Sequence, residues 1–282
     1  MTAPAQATTL VDLEDWVALE VRGPAAVRLV RQPGQPSWLR PADPAPGPAA
    51  PASRRADLAA GRAAAHHALA AIGISTNGIP RGAGGAPCWP PGVTGSITHT
   101  REVAVALAAV PSEHGRVSVG IDAERHDAVT DDVFSTVFSP AEIAWLGSVP
   151  EPVRRRLATT WFCAKEAAYK ARFPLIPEIL DYPDVAIVTA VTAVTAVAAV
   201  ANVATVATGA GRTDRFGLAD AAGSSPAVTY AVRVYDDAGI AVVAVVARTR
   251  RPSSTGDETA GAVTASVLGG TPAGSRVSDT HS

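Results

Sequence analysis

The stretch Arg116-Val117-Ser118-Val119-Gly120-Ile121-Asp122-Ala123-Glu124 alternates apolar residues with small or polar ones. That period of two reads as a β-strand, with Val117, Val119 and Ile121 on one face and Ser118, Gly120, Asp122 and Glu124 on the other. Upstream, residues 95–100 and 103–110 read as two more strands, the second an unbroken Ala/Val/Leu run suited to a sheet covered on both faces. Before them, Ser53 is a candidate N-cap for a helix over 56–72 that Gly73 stops. The Pro/Ala/Gly cluster at 32–51 and the Gly/Pro-rich stretch 78–95 are loops. Downstream, Ser139-Pro140-Ala141-Glu142 has the capping-box pattern that starts a helix. Residues 152–172 read as a long helix ended by Phe173-Pro174. Strands are expected near 184–187, at 228–235 and at 240–247, the last two joined by a turn at Asp236-Asp237-Ala238-Gly239. The order helix, strands, helices, strands predicts an α+β chain of two similar-sized halves, 1–115 and 116–250.

The 282 residues are enough for a sizeable core, and 24 Lys+Arg against 26 Asp+Glu leave a net charge of −2. Such a balance disfavours nucleic-acid binding by a global basic field, while a local basic pocket stays open. Two cysteines, Cys88 and Cys163, are too few for a disulfide framework or a four-ligand zinc site, and they suit a reducing cytosol. The first fifteen residues show no basic and apolar regions of a signal peptide, so a cytoplasmic location is expected. From Val185 to Val206 valine recurs at every third residue. The run is long enough for a membrane span, but Ala and Thr contribute little to insertion and its ends carry no Leu, Phe, Trp or Tyr. Period three builds neither a helix face nor a strand face, so 185–210 reads as a repeat insertion that extends two strands. The Ser/Thr/Gly-rich stretch 251–282 is expected to be a disordered tail.

Four groups of residues carry candidate chemistry. Asp122 and Glu124 stand at i and i+2, about 7 Å apart by strand rise, and two acids so placed suit Mg²⁺ beside a phosphate substrate or else a solvated strand end. Only two of the 24 basic residues are lysines, Lys165 and Lys170, and both lie in Trp161-Phe162-Cys163-Ala164-Lys165-Glu166-Ala167-Ala168-Tyr169-Lys170. Glu166 and Lys170 share a helix face, as a surface ion pair or as a proton acceptor or metal ligand next to phosphate-binding ammonium groups. Gly95-Ser96-Ile97-Thr98-His99-Thr100 is a hydroxyl-rich strand ending in His that could donate to phosphates. Arg54, Arg62 and Arg81 flank the Ala-rich helix and the loop after it.

Five segments together resemble the 4′-phosphopantetheinyl transferase superfamily, in the branch of enterobactin synthetase component D and the Sfp-type activators. They run from Arg54 to Leu69 (RRADLAAGRAAAHHAL), then Pro80-Arg81-Gly82 with Pro87 to His99, Gly120-Ile121-Asp122-Ala123-Glu124, Phe138-Ser139-Pro140-Ala141-Glu142, and Phe162 to Ala171. The resemblance implies two α/β halves related by a pseudo-twofold, with coenzyme A in the cleft between them. It implies Mg²⁺ on Asp122 and Glu124, with Glu166 completing the metal site or taking the proton, and coenzyme A contacts from Arg54, Arg62, Arg81, Thr98, His99, Asp122, Glu166 and Lys170. Glu166, Lys170 and His99 then serve catalysis, and Lys165 lies beside them in support.

The implied reaction moves the phosphopantetheine arm to a serine of an apo acyl or peptidyl carrier protein. Positioning and charge neutralisation would dominate it. The implied enzyme is a monomer with no nucleic-acid or membrane partner, and acidic carriers would dock on Arg154-Arg155-Arg156. A non-catalytic coenzyme A-binding or carrier-binding relative and a Mg²⁺-dependent phosphohydrolase are the alternatives. The valine repeat, the tail and the Arg172 that follows Lys170-Ala171 depart from the family's pattern.

Overall fold

The computed structural model describes residues 10–189, 203–207, 213–220, 228–237 and 239–249. Helix α1 (Leu10–Val21) and strand β1 (Ala25–Arg31) come first, then α2 (Ala52–Ala71), β2 (Thr94–His99), β3 (Val103–Ala109) and β4 (Val117–Arg125). Three helices follow, α3 (Phe134–Val137), α4 (Pro140–Gly147) and α5 (Val153–Arg172). Strands β5 (Val185–Thr189), β6 (Val203–Ala207), β7 (Thr213–Asp220), β8 (Val228–Asp237) and β9 (Ile240–Thr249) complete the described chain. They form three antiparallel sheets in the orders β1-β3-β2, β4-β9-β8 and β5-β7-β6, which with the helices gives the expected mixture of α and β.

The alternation of each strand explains how the layers stack. Val103, Val105 and Leu107 of β3 face a core shared with Val119 and Ile121 of β4, Val242 and Val246 of β9, and Leu13, Val17 and Val21 of α1. The other face of β3, Ala106 and Ala108, lies under Ala64, Ala68 and Leu69 of α2. In the same way Val243 and Val245 of β9 turn to α5, against Ala164, Ala167 and Ala168. Strands buried on both faces need apolar residues at every position, which is why β3 and β9 read as unbroken hydrophobic runs.

Small residues let α5 lie directly on β4. A Cβ at Gly120 would stand 1.9 Å from the Ala167 carbonyl oxygen and 2.8 Å from the Ala171 nitrogen. Only glycine permits that approach, and it brings the helix carrying Glu166 and Lys170 onto the strand carrying Asp122 and Glu124.

Several expectations need correction. Ser53 is not an N-cap: α2 starts at Ala52, Pro51 holds the cap with no side-chain bond, and its carbonyl accepts from Arg55 N at 3.1 Å. The solvated strand end kept as an alternative for Asp122 and Glu124 does not hold for Asp122, which is buried with Ser118 and Gly120 beneath β2 and α5. Helix α1, β1 and β7 were not foreseen, although Leu13, Val17 and Val21 recur at the four-residue spacing of a helical stripe. The Ser139 capping box is present, with Glu142 N donating to Ser139 Oγ at 3.3 Å and Ser139 N to Glu142 Oε2 at 2.8 Å. The two ends of the valine repeat form β5 and β6, while 190–202, Ala238 and the tail expected at 251–282 lie outside the described residues. Among the described residues no helix is long and apolar enough to cross a membrane.

Candidate active site

The site grows from the seam between β2 and β4. Hydroxyls at alternate positions of β2 meet β4 side by side: Thr94 Oγ1 lies 2.8 Å from Ser118 Oγ, Ser96 Oγ donates to the Ile121 carbonyl at 3.4 Å, and Thr98 Oγ1 donates to Asp122 Oδ1 at 2.8 Å. The hydroxyl-rich strand therefore fastens two sheets, and the Thr98 hydroxyl is already given to a carboxylate. From the opposite side Lys170 Nζ of α5 donates to the same Asp122 oxygen at 2.6 Å. Burial lowers the Lys170 ammonium, but the Asp122 carboxylate outweighs it and holds the group above its usual value. Asp122 is thus oriented from two elements before any ligand arrives.

Glu124, two residues on, is half-buried, and burial first, then the Asp122 carboxylate, push its carboxyl up to about 7; Lys170 offsets part of this and Glu166 adds to it. Glu166 accepts a hydrogen bond from the Tyr182 hydroxyl at 2.5 Å. Burial and that bond to Glu166 raise the Tyr182 phenol well above its ordinary value, so it stays a donor. Three carboxylates thus share one field with one ammonium. They are not gathered into a finished cage, since among the described residues no group of three or more His, Cys, Asp or Glu stands ready to hold a metal ion. The donor set nevertheless fits a hard divalent cation: all oxygens, more negative charge than Lys170 neutralises, and one carboxyl driven up by burial and then by its neighbouring carboxylates. Cys163 is fully buried and its thiol is pushed far up, mainly by burial, which removes it as a nucleophile or ligand.

The two lysines do not act together. Five residues on a helix turn through about 500°, so Lys165 and Lys170 point some 140° apart. Lys165 is buried, pairs with Glu142 Oε2 at 2.9 Å and donates to the Tyr182 carbonyl at 3.1 Å. Glu142 in turn accepts from Ile187 N at 2.7 Å, tying α4, α5 and β5 together. Lys165 is structural, and Lys170 alone faces the acids.

The arginines gather at a second place. Arg54, Arg62 and Arg81 line a cavity of about 350 Å³ with Asp57 and His99. Asp57 and His99 also line an adjoining opening of about 570 Å³ that reaches Glu124, while Glu166 and Tyr182 line another opening of about 240 Å³. Arg62 is buried, its Nε has no hydrogen-bond partner among the described residues, and Asp43 is 3.9 Å away. Burial lowers this guanidinium, Asp43 opposes that, and Arg81 lowers it further, a positive pair suited to an anion. Asp43 itself anchors the Pro-rich loop: its oxygens accept from Arg40 N at 2.7 Å and Ile79 N at 2.8 Å, and His66 Nε2 stands 2.8 Å away. Sequence reasoning missed Asp43, Asp57 and Tyr182; of these only Tyr182 carried a local signal, the Asp181 cap and Pro183 of its turn. The expected arginine docking surface is reduced, because Arg154 pairs with Glu151 and Asp131 and Arg156 with Asp236.

A family profile described as "4′-phosphopantetheinyl transferase N-terminal domain" matches residues 46–109, and one described as "4′-phosphopantetheinyl transferase superfamily" matches 118–217, a range that encloses the valine repeat. The chain is 39% identical over 134 residues to 4′-phosphopantetheinyl transferase Npt of Nocardia iowensis, covering 48% of this chain and 59% of the relative. It is 40% identical over 141 residues to 4′-phosphopantetheinyl transferase PptT of Mycobacterium tuberculosis, with the same coverage of 48% and 59%. Enterobactin synthase component D of Salmonella typhi is 35% identical over 126 residues, 42% of this chain and 48% of the relative. The matches thus span between about half and three fifths of these relatives' lengths.

Proposed function

The chain belongs to the 4′-phosphopantetheinyl transferase superfamily, and from that premise we propose that it transfers the 4′-phosphopantetheine arm of coenzyme A to a serine of an apo acyl or peptidyl carrier protein, releasing 3′,5′-ADP. The observation that carries this reading is the charge imbalance at the end of β4, where Asp122, Glu124 and Glu166 share a field with Lys170 beside an arginine-lined cavity. In this reading coenzyme A lies between halves 1–115 and 116–250, related by a pseudo-twofold. Asp122, Glu124 and Glu166 would hold Mg²⁺, which when bound neutralises charge on the pyrophosphate.

The chain's own residues would do the rest by positioning and electrostatics. Arg54, Arg62 and Arg81 bind the 3′-phosphate and its surroundings, the buried Nε of Arg62 gaining the acceptor it lacks. His99 and Thr98 stand near the phosphates, and Lys170 supplies a compact ammonium to the pyrophosphate. The carrier's serine oxygen forms a bond to the phosphorus bearing the pantetheine arm while the bond from that phosphorus to the ADP oxygen breaks. Glu166 takes the serine proton, or else it completes the cation site and a water molecule takes that proton. We place the reaction in the cytoplasm, carried out by a monomer. The enterobactin synthase relative makes siderophore and other secondary-metabolite carriers the first to assay.

The test is to incubate the full chain with coenzyme A, Mg²⁺ and a panel of apo carriers and to weigh the carriers by mass spectrometry. At least one carrier should gain the arm, and Asp122→Ala, Glu124→Ala and Glu166→Ala should each remove most of the activity. Coenzyme A binding without a mass gain on any carrier would point to a non-catalytic relative. Full turnover by all three variants would overturn the assignment of the acids.

A further inference from the structure

We propose that Tyr182 is a positioning residue for Glu166, a role that rests on the reading of Asp122, Glu124 and Glu166 as a divalent-cation site. Its hydroxyl donates to Glu166 Oε1 at 2.5 Å, and everything else about the residue is held in place independently of that bond. Tyr182 opens the short turn Tyr182–Asp184 between α5 and β5, which Asp181 caps, with Asp181 N donating to Asp184 Oδ2 at 2.8 Å. Its ring lies on Phe162, centroids 5.6 Å apart and planes 31° apart. Its carbonyl accepts from Lys165 Nζ, and Lys165 is fixed by the buried Glu142, itself bound to the Ser139 and Ile187 backbone nitrogens. A second layer of packing therefore aims the phenol at the carboxylate.

The terminal torsion of a glutamate is broad and roughly two-fold, so a half-buried Glu166 would otherwise sample many carboxylate orientations. One firm bond to Oε1 narrows that range and leaves Oε2 for a cation or a serine proton. Groups that hold a ligating carboxylate from behind act on metal affinity without touching the metal. The same chain gives Lys165 a functional consequence: its contact with the Tyr182 carbonyl connects a structural ion pair to the orientation of an acid that it does not contact.

Tyr182→Phe isolates the hydroxyl, because it keeps the ring on Phe162 and the carbonyl on Lys165. The full chain and the variant would be titrated with Mn²⁺ in the presence of coenzyme A, with unbound Mn²⁺ read by electron paramagnetic resonance. In parallel, thermal midpoints and coenzyme A affinity would be measured in EDTA. The variant should bind Mn²⁺ about tenfold or more weakly, the usual effect of losing such a partner, with the EDTA measurements unchanged. A smaller loss overturns the proposal, and so does an equal loss of coenzyme A affinity in EDTA, which would mark a general disturbance. Absence of Mn²⁺ binding by the unaltered chain overturns the cation site itself and the proposal with it, which separates the two failures.

Discussion

Replacing Gly120 by alanine tests the contact on which the site depends. The added Cβ would stand 1.9 Å from the Ala167 carbonyl oxygen and 2.8 Å from the Ala171 nitrogen, and both are backbone atoms of α5 that no rotamer change can remove. Reaching the 3.4 Å of ordinary packing requires the helix to withdraw from β4 by about 1.5 Å, the difference between the two distances. Overpacking of this kind costs about 1–3 kcal/mol, and a backbone obstacle belongs at the upper end of that range. The functional effect should be larger. Lys170 and Asp122 are 2.6 Å apart across that same contact, and a misplacement of about 1 Å can lower turnover roughly 100-fold. Urea unfolding would measure the first effect, and kcat/KM for carrier modification, per folded molecule, the second. Stability within about 0.5 kcal/mol of the unaltered chain would refute the close approach. A destabilised variant with full turnover would refute the claim that the β4–α5 contact sets the site.

Lys165→Met should cost about 3–5 kcal/mol because it leaves Glu142 buried and uncompensated, and adding Glu142→Gln should restore part of that; equal losses in the single and double variants, read by urea unfolding, would refute the coupling. Burial holds the His66 imidazole below its usual 6.5 despite Asp43, so the unfolded chain binds a proton that the folded one resists: stability is full above about 6.5 and falls as pH drops through the folded value. Asp43, where the bonds from His66, Arg40 and Ile79 outweigh the upward push of burial, extends the decline below 3.8. Glu124, pushed up to about 7, gains stability as pH falls through the same window, so the test reads a difference: between about pH 8 and 5 the unaltered chain should lose stability relative to His66→Gln, and parallel urea midpoints would refute the assignment. With Arg154 and Arg156 paired to acids, the exposed Arg155 is the member of the trio suited to an acidic carrier; Arg155→Glu should raise the carrier's apparent KM, and an unchanged KM would make it a solvated charge.

Much of this molecule was legible because its strands and helices obey simple periods. The alternation at 116–124, the capping box at Ser139 and the break at Phe173-Pro174 are local, and each corresponds to an element of the fold. What stayed hidden was partnership across the chain. Alternation records the polarity of one face of β4 and not what satisfies it; the satisfying groups are hydroxyls of β2, more than twenty residues upstream. The lysine pair misled for a different reason. Its rarity was real, but a spacing of five places the two side chains on different faces, so one joins Glu142 in the core and the other meets Asp122.

The carboxylates divide by the same rule. Glu142 and Asp122 look alike in sequence, yet Glu142 has a buried cation and two backbone donors and is fully committed to the fold. Glu124 has burial and two like charges around it, with Lys170 and the Arg125 backbone N–H in opposition. A sequence counts acids, whereas function attaches to the acid whose charge the fold leaves unbalanced, and that difference becomes visible only when the partners of each carboxylate are known. The same reasoning makes Tyr182 matter: it supplies a hydrogen bond that tells Glu166 where to stand without neutralising it, so the surplus charge of the site survives for a cation to match.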